Sequence, residues 1–378
     1  MLAGSLFLLA SCGGDDPISN RQKAVKKLYR HKTVKIAVVD SFKENGEFSW
    51  EAAVLAQEKI NSKKLCPATI ELVKFDDGGT PHFGTKKAYE IASDNEICAV
   101  LGHTYSDISL PCSLIYQYYG LLVFNYISSS NALTARKNPL LFSNMPNDTA
   151  FGTEIAQLCQ RNGYERILIY YLDNAWGTDV ANNVEISCLK HNISVENRDS
   201  FDATVTSHIL ARAARRWKHN FTFDAIFLAD RMPHIPAVIE AIREADIKVP
   251  VLGVDTFDDA RFAAQLPSTE YNRIYALSNY NLESQNPRFQ EFYDDFVERY
   301  GQDPDKQSVQ IYDALIVLAK AIAEAKSAIP DDIADALMDH QWNEAVGSYY
   351  FGPNGEAMNL HLTPKVYRNG KFENLSMK

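Results

Sequence analysis

The sequence predicts an α/β protein of two doubly wound parallel-sheet lobes, and three observations carry that expectation. Short apolar runs rich in β-branched residues alternate with helical patterns from Val34 onward. The alternation starts a second series near Thr149. The 378 residues also exceed what one hydrophobic core usually supports. Strands that alternate with helices at this spacing build a parallel sheet covered on both faces.

In the first series VKIAVVD (34–40) reads as a strand, EFSWEAAVLAQEKINS (47–62) as a helix and ATIELVKFDD (68–77) as a strand, which makes a β-α-β unit. A helix over 80–94, the strand ICAVLG, the helix LPCSLIYQYY and the strand LLVFNY continue it. The second series runs from the helix TAFGTEIAQLCQRN through RILIYYLD (strand), TDVANNVEISCLKHN (helix), SVENRDSF (strand), SHILARAARRWKHN (helix), AIFLAD (strand) and HIPAVIEAIREAD (helix) to the strand VPVLGVD. After ALSNY the order changes. Three helical segments, beginning at Pro287, Gln307 and Pro330, follow without strands between them and therefore cover a sheet already built. From Val346 the turn signals GPNGE and RNGK separate alternating apolar positions, the pattern of strands and hairpins.

Hydrophobic residues at 46% and charged residues at 23% are ordinary for a globular body and leave little room for long disorder. A net charge of -10 argues against nucleic acid as a partner, because phosphate binding needs a basic footprint. The one continuously apolar segment, MLAGSLFLLASC, is roughly half the ~20 residues of a spanning helix and reads as the core of a signal peptide over 1–12. Its end, Leu9-Ala10-Ser11-Cys12, resembles the bacterial lipobox, which implies lipidation at Cys12 and anchoring in the cell envelope, although no Lys or Arg precedes the apolar run. Residues 13–32 are expected to form a solvated tether. The stretch SNRQKAVKKLYRHK carries six cations and no acid, and an anionic bilayer surface is its alternative neighbour.

Five further cysteines, Cys66, Cys98, Cys112, Cys159 and Cys188, form an odd set without a C-x-x-C pair, so at least one thiol should be free. No metal site or cofactor is expected. GGTPHFGTK places Gly79 and Gly84 at phosphate-loop spacing, but Thr85 precedes Lys86 and Pro81 removes an N–H donor, which argues against a nucleotide site. Dinucleotide, nucleophile-elbow and zinc-protease motifs are absent as well.

The order of elements, with KIAVVD, FDDGGTP, AVLGHTYSDIS, ISSSNALT, RILIYYLDNAWGTD and VPVLGVD, resembles the type I periplasmic binding proteins, and within them the branched-chain amino-acid and amide binders. The resemblance runs from about Thr33 to about Glu373. It implies discontinuous lobes joined by a hinge of three chain crossings, with lobe one at 33–145 and 279–346 and lobe two at 146–278 and 347–378. It also implies a small amino-acid-like ligand held in the cleft, where helix N-termini meet the C-terminal ends of the strands.

Carried over by position, Ser106 and Ser129 would grip the ligand α-carboxylate, the Ile127 carbonyl would accept from its ammonium, and Asp255 would pair with that ammonium. For the serines the alternative is helix capping, and for Asp255 it is capping of the segment TFDDARFAAQ. Trp176 takes the place of a cleft aromatic on lobe two, in the loop after RILIYYLD, and Tyr105 could line the cleft. Arg231 departs from the family, which has an aromatic there to enclose an apolar side chain. An anionic or strongly polar ligand side chain, or a salt bridge to Asp230 or Asp255, would each explain it. The family's disulfide near the cleft is missing, since Gly79 and Tyr105 stand at its positions, so another device must brace that loop; His103 reads as a hydrogen-bonding strand-end residue.

The function implied is delivery of the ligand to an ABC permease by a monomeric, lipid-anchored, non-enzymatic binder. The alternatives are a sensing subunit that signals to a separate membrane receptor or kinase, and an amide hydrolase on the same lobes.

Overall fold

A computed structural model of the chain describes residues 16–42, 48–266 and 273–375. The apolar segment and Cys12 lie outside the described residues. Strands β1 (Thr33–Asp40), β2 (Thr69–Asp76), β3 (Ile97–Leu101), β4 (Leu122–Asn125) and β5 (Leu141–Ser143) form a parallel sheet in the order β2-β1-β3-β4-β5. Helices α1 (Pro17–Arg30), α2 (Ser49–Lys63), α3 (Pro81–Ser93), α4 (Ser106–Tyr118) and the short α5 (Asn131–Ala135) surround it. Ile36, Val38 and Leu101 share a core with Ala52 and Ala56 of α2. Ala37, Val39 and Val100 pack instead with Ile91 of α3 and Ile108 and Cys112 of α4. Burial on both faces is why β1 and β3 read as unbroken apolar runs. Sequence periodicity missed β5 and α5, which are only three and five residues long.

The second lobe is built from α6 (Asp148–Asn162), β6 (Arg166–Leu172), α7 (Ala175–Lys190), β7 (Ser194–Phe201), α8 (Ser207–Asn220), β8 (Ala225–Ala229), α9 (His234–Glu244), β9 (Val251–Gly253), a 3₁₀ turn at Asp255–Phe257, α10 (Ala260–Gln265) and β10 (Ile274–Ser278). The chain then returns to the first lobe through α11 (Pro287–Tyr300), α12 (Lys306–Ala325) and α13 (Pro330–Asp339). Tyr300 donates to the Glu51 carbonyl of α2 (3.0 Å), and Lys59 of α2 pairs with Glu291 (2.7 Å). The strands β11 (Gln341–Glu344), β12 (Gly347–Phe351) and β13 (Ala357–Met358) make a small antiparallel sheet. Finally β14 (Thr363–Arg368) and β15 (Lys371–Asn374) add two antiparallel strands to the second sheet, giving the order β15-β14-β10-β9-β8-β6-β7. The RNGK signal is the tight turn between them: Asn369 (φ 51°) and Gly370 (φ 81°) are both left-handed, which suits the twist of a hairpin.

Two sequence expectations give way here. The expected tether is helical over Pro17–Arg30 and docked on lobe one. Asp16 caps this helix, and its Arg21 is fully buried. The Arg21 guanidinium donates to the carbonyls of Ala92 (2.6 Å), Asp94 (2.9 Å), Ile97 (2.5 Å) and Tyr119 (3.0 Å). Two of these carbonyls close the C-terminal end of α3, where a cation is favoured. Burial lowers the guanidinium to about 10. A run of six cations looks uniformly solvated, and nothing in it marks the one that is buried.

The second correction is the lobe boundary expected at 346/347. Residues 347–358 pack on lobe one. The Phe351 ring meets those of Phe124 and Phe142, and Ser143 N–H donates to the Gly355 carbonyl (2.9 Å). Gly355 lies at φ 79°, and a Cβ there would stand 2.0 Å from the Leu141 carbonyl oxygen, so the GPNGE turn is pressed onto the edge strand where only glycine fits. The chain therefore crosses at 144–147, 279–286 and 359–362. Asn279 Nδ2 lies 2.9 Å from Met145 Sδ, which ties the first two crossings together.

Candidate ligand-binding cleft

Thr104, Tyr105, Ser106, Ile127, Ser128 and Ser129 project from the C-terminal ends of β3 and β4 into a cleft between the lobes. Trp176, Arg231 and Asp255 face them from the ends of β6, β8 and β9. The empty space of the cleft, open mouth included, is about 690 Å³. All seven residues singled out in the sequence line this one space. Each sits where an open α/β sheet leaves helix N-termini and loop amides unpaired.

The capping alternatives do not apply. The cap position of α4 belongs to Tyr105, so Ser106 is the first helical residue. Ser130, not Ser129, caps α5 by accepting from Ala132 N–H. Asp259 caps α10, which leaves the Asp255 carboxylate out of that role. Ser106 Oγ lies 2.7 Å from Ser128 Oγ, and Ser129 Oγ accepts from Trp176 Nε1 at 3.2 Å. The indole is not in a loop as expected: Trp176 stands in the first turn of α7, behind the Asn174 cap, which fixes its direction toward lobe one.

Buried networks hold the lobe-one wall from behind. Asp40 accepts from Thr104 Oγ1, Ser49 Oγ (2.7 Å), Ser41 N–H (2.7 Å) and Tyr126 OH (3.0 Å), while burial pushes its carboxyl up. Asp77 accepts from Ser41 Oγ (2.7 Å) and Gly79 N–H (3.0 Å), and its other oxygen lies 2.7 Å from His103 Nδ1. His103 Nε2 is 2.9 Å from Tyr116 OH. Burial alone would raise Asp77, but these partners, His103 foremost, hold it below the usual carboxylate range. A chain of side chains from the β1 end through the β2 end to α4 thus braces the loop that follows β3. His103 is structural, as its position suggested.

The main residue missed is Lys306, the first residue of α12. Its Nζ lies 2.8 Å from Asp255 Oδ2 and 2.9 Å from the Asp255 carbonyl, and both side chains are nearly buried. The cation expected to satisfy Asp255 is therefore supplied in part by the chain itself, from the opposite lobe. A lysine in the first turn of a helix opposes the helix dipole, which was the signal that this one had an acid to meet. Asp107, Asp259, Arg261 and Gln307 also line the cleft. Other contacts join the lobes: the Arg231 guanidinium lies 4.2 Å from the Tyr105 ring centre, and Ser130 Oγ donates to Asp179 (2.7 Å).

Among the described residues the five cysteines are free and buried, and no cluster suited to a metal ion occurs. Burial raises the Cys98, Cys112, Cys159 and Cys188 thiols to about 12. They pack as small apolar groups.

Two parallel-sheet lobes closing on a polar cleft at their strand ends define a solute-binding architecture. The chain belongs to the periplasmic binding protein family, whose model matches residues 33–362, and this membership places its working site outside the cytoplasm. It is 22% identical over 338 residues to a leucine-, isoleucine-, valine-, threonine- and alanine-binding protein of Pseudomonas aeruginosa, covering 88% of this chain and 89% of the relative. An ABC transporter substrate-binding protein from Desulfitobacterium hafniense, solved in complex with Leu, is 28% identical with a TM-score of 0.80, covering 91% of this chain and 100% of that one. A solute-binding protein of R. palustris in complex with benzoate shares the fold at 17% identity and a TM-score of 0.80, over 91% of this chain and 96% of that one. Architecture alone thus leaves the ligand open.

Proposed function

We propose that this chain captures a small α-amino acid by closure of its two lobes and delivers it to an ABC permease, without chemical turnover. The observation that carries the reading is the arrangement of the cleft: Ser106, Ile127 and Ser129, with Asp107 beside them, line one wall, and Asp255 lines the other. In this reading the α-carboxylate meets the two hydroxyls beside the N-terminus of α4, and the ammonium meets Ile127 and Asp255. Trp176 and Tyr105 cover the ligand, and Arg231 meets its distal end. Contacts available only in the closed form shift the population toward closure.

A hydrolase needs a nucleophile beside a base. Ser106 meets Ser128, Ser129 meets Trp176 and the buried Asp148, whose carboxyl burial pushes well up toward the protonated form, a poor base, and His103 is held between Asp77 and Tyr116. Attachment to the envelope is assigned to the lipidated Cys12, and the working form to a monomer.

A thermal-shift screen of α-amino acids tests this function. A ligand at about 100 times its Kd stabilises the native state by about 2.7 kcal/mol, so at least one amino acid should raise the melting midpoint. Its decarboxylated and N-acetylated analogues should not. Analogues that stabilise equally well would sink the assignment.

A further inference from the structure

We infer that the ligand is an acidic amino acid of the glutamate or aspartate type, whose side-chain carboxylate is met by Arg231; this rests on the amino-acid reading of the cleft. Six charged side chains line the walls, and two pairs of them compensate each other. Asp255 takes Lys306 at 2.8 Å, and Asp259 takes Arg261 through bonds of 2.5 and 2.9 Å. Asp107 and Arg231 remain. Asp107 lies in the first turn of α4, where the helix N-terminus favours a carboxylate without a partner cation.

Arg231 lacks a paired carboxylate of this kind, although its charge acts on the buried Asp230, whose carboxyl burial pushes up and His234 and Arg231 pull down. Of the two acids able to bind it, Asp255 is occupied by Lys306. Asp230 is fully buried, accepts the backbone N–H of Arg231 itself (2.8 Å) and faces His234 Nδ1 at 3.6 Å. Among the described residues the Arg231 guanidinium makes no ion pair, and its contact is with the face of the Tyr105 ring, 4.2 Å from the ring centre. A guanidinium over a ring keeps its in-plane N–H donors for another partner, in a fork that matches a carboxylate.

Tyr105 immediately precedes Ser106, so this fork is poised beside the proposed α-carboxylate site, on the far lobe. An apolar ligand side chain would bury the guanidinium donors unpaired, which is costly. A second carboxylate satisfies them. Arg231 then selects against the apolar amino acids that an aromatic residue at this position would enclose.

Isothermal titration of the purified chain with L-glutamate, L-aspartate, L-glutamine, L-asparagine and L-leucine tests the inference. One of the two acids should bind at least about 10-fold tighter than its isosteric amide, the difference expected of a charge-assisted hydrogen bond. Leucine should bind more weakly still. Arg231→Met should abolish the preference for acid over amide, and Arg231→Lys should keep its direction at reduced size. The wild-type ratio of acid to amide decides the matter even where a variant fails to fold.

Equal affinity for acid and amide, or tighter binding of leucine, overturns the inference while leaving the amino-acid function intact. Failure of every amino acid to bind the folded wild type removes both.

Discussion

The two walls of the cleft are built on different principles. Lobe one offers the hydroxyl residues Thr104, Ser106, Ser128 and Ser129 with Ile127 and one carboxylate, Asp107, and braces the loop carrying Thr104 and Ser106 with the Asp40 and Asp77 networks behind it. Lobe two offers charge and aromatic surface, Trp176, Arg231, Asp255 and the Asp259–Arg261 pair, carried on loops and first helical turns. Hydroxyls backed by satisfied buried networks are already oriented before ligand arrives, so lobe one suits the part common to all amino acids. Charges are costly to bury unless each finds its partner, so lobe two suits discrimination. Lys306 joins the walls, a lobe-one cation whose acid lies on lobe two.

The largest effect should come from breaking that junction. Asp255→Ala removes the proposed ammonium acceptor and breaks the buried ion pair with Lys306, a change that costs about 3–5 kcal/mol in buried pairs. Amino-acid affinity should fall at least about 100-fold by calorimetry, with a lower melting midpoint. The double variant Asp255→Leu with Lys306→Met should recover the midpoint, because apolar groups replace a buried pair well, yet should not recover binding. Unchanged affinity in Asp255→Ala would show that lobe two does not read the ammonium.

A smaller effect, confined to lobe one, is expected of Asp77→Asn. The variant keeps the shape but loses the charge-assisted contact with His103, and should cost about 1–3 kcal/mol. Because Asp77 is held below its unfolded value of about 4, its contribution is present above that pH and is lost as pH falls through the lowered value. The variant should therefore show a flatter acid limb in thermal unfolding between about pH 2 and 5, with the order of ligand preference unchanged. A changed order would mean that the brace also selects the ligand.

The contrast between walls also decides what could be read from the sequence. Local periodicity announced both sheets, because each strand and helix carries its own apolar pattern. Ser106, Ser129 and Asp255 were legible as cleft residues because each follows closely on a strand, whereas Thr104 and Ser128 were not singled out. Lys306 was not, since it lies 51 residues from Asp255 and meets it only when the lobes are assembled. Arg21 was hidden for the same reason: its four acceptors are carbonyls contributed between Ala92 and Tyr119. The third crossing was misplaced because Gly355 meets Leu141 through backbone contact, which has no signature in hydropathy.

Asp313 of α12 extends the comparison from the walls to the hinge side of lobe one. It accepts from Tyr349 OH (2.6 Å), Val346 N–H (2.8 Å) and Asn144 Nδ2 (3.3 Å), and Asn144 opens the first crossing. Burial pushes this carboxyl up to about 7, opposite in direction to Asp77. The folded state therefore holds a proton that the unfolded chain releases near pH 4, and the stability it contributes is lost as pH rises from about 4 to about 7. Asp313→Asn cannot ionise, so its melting midpoint should lack that decline. At neutral pH the lost acceptor and the removed cost of a buried charge oppose each other, leaving a net change within about 1 kcal/mol. A variant that keeps the wild-type slope would assign the proton to another group.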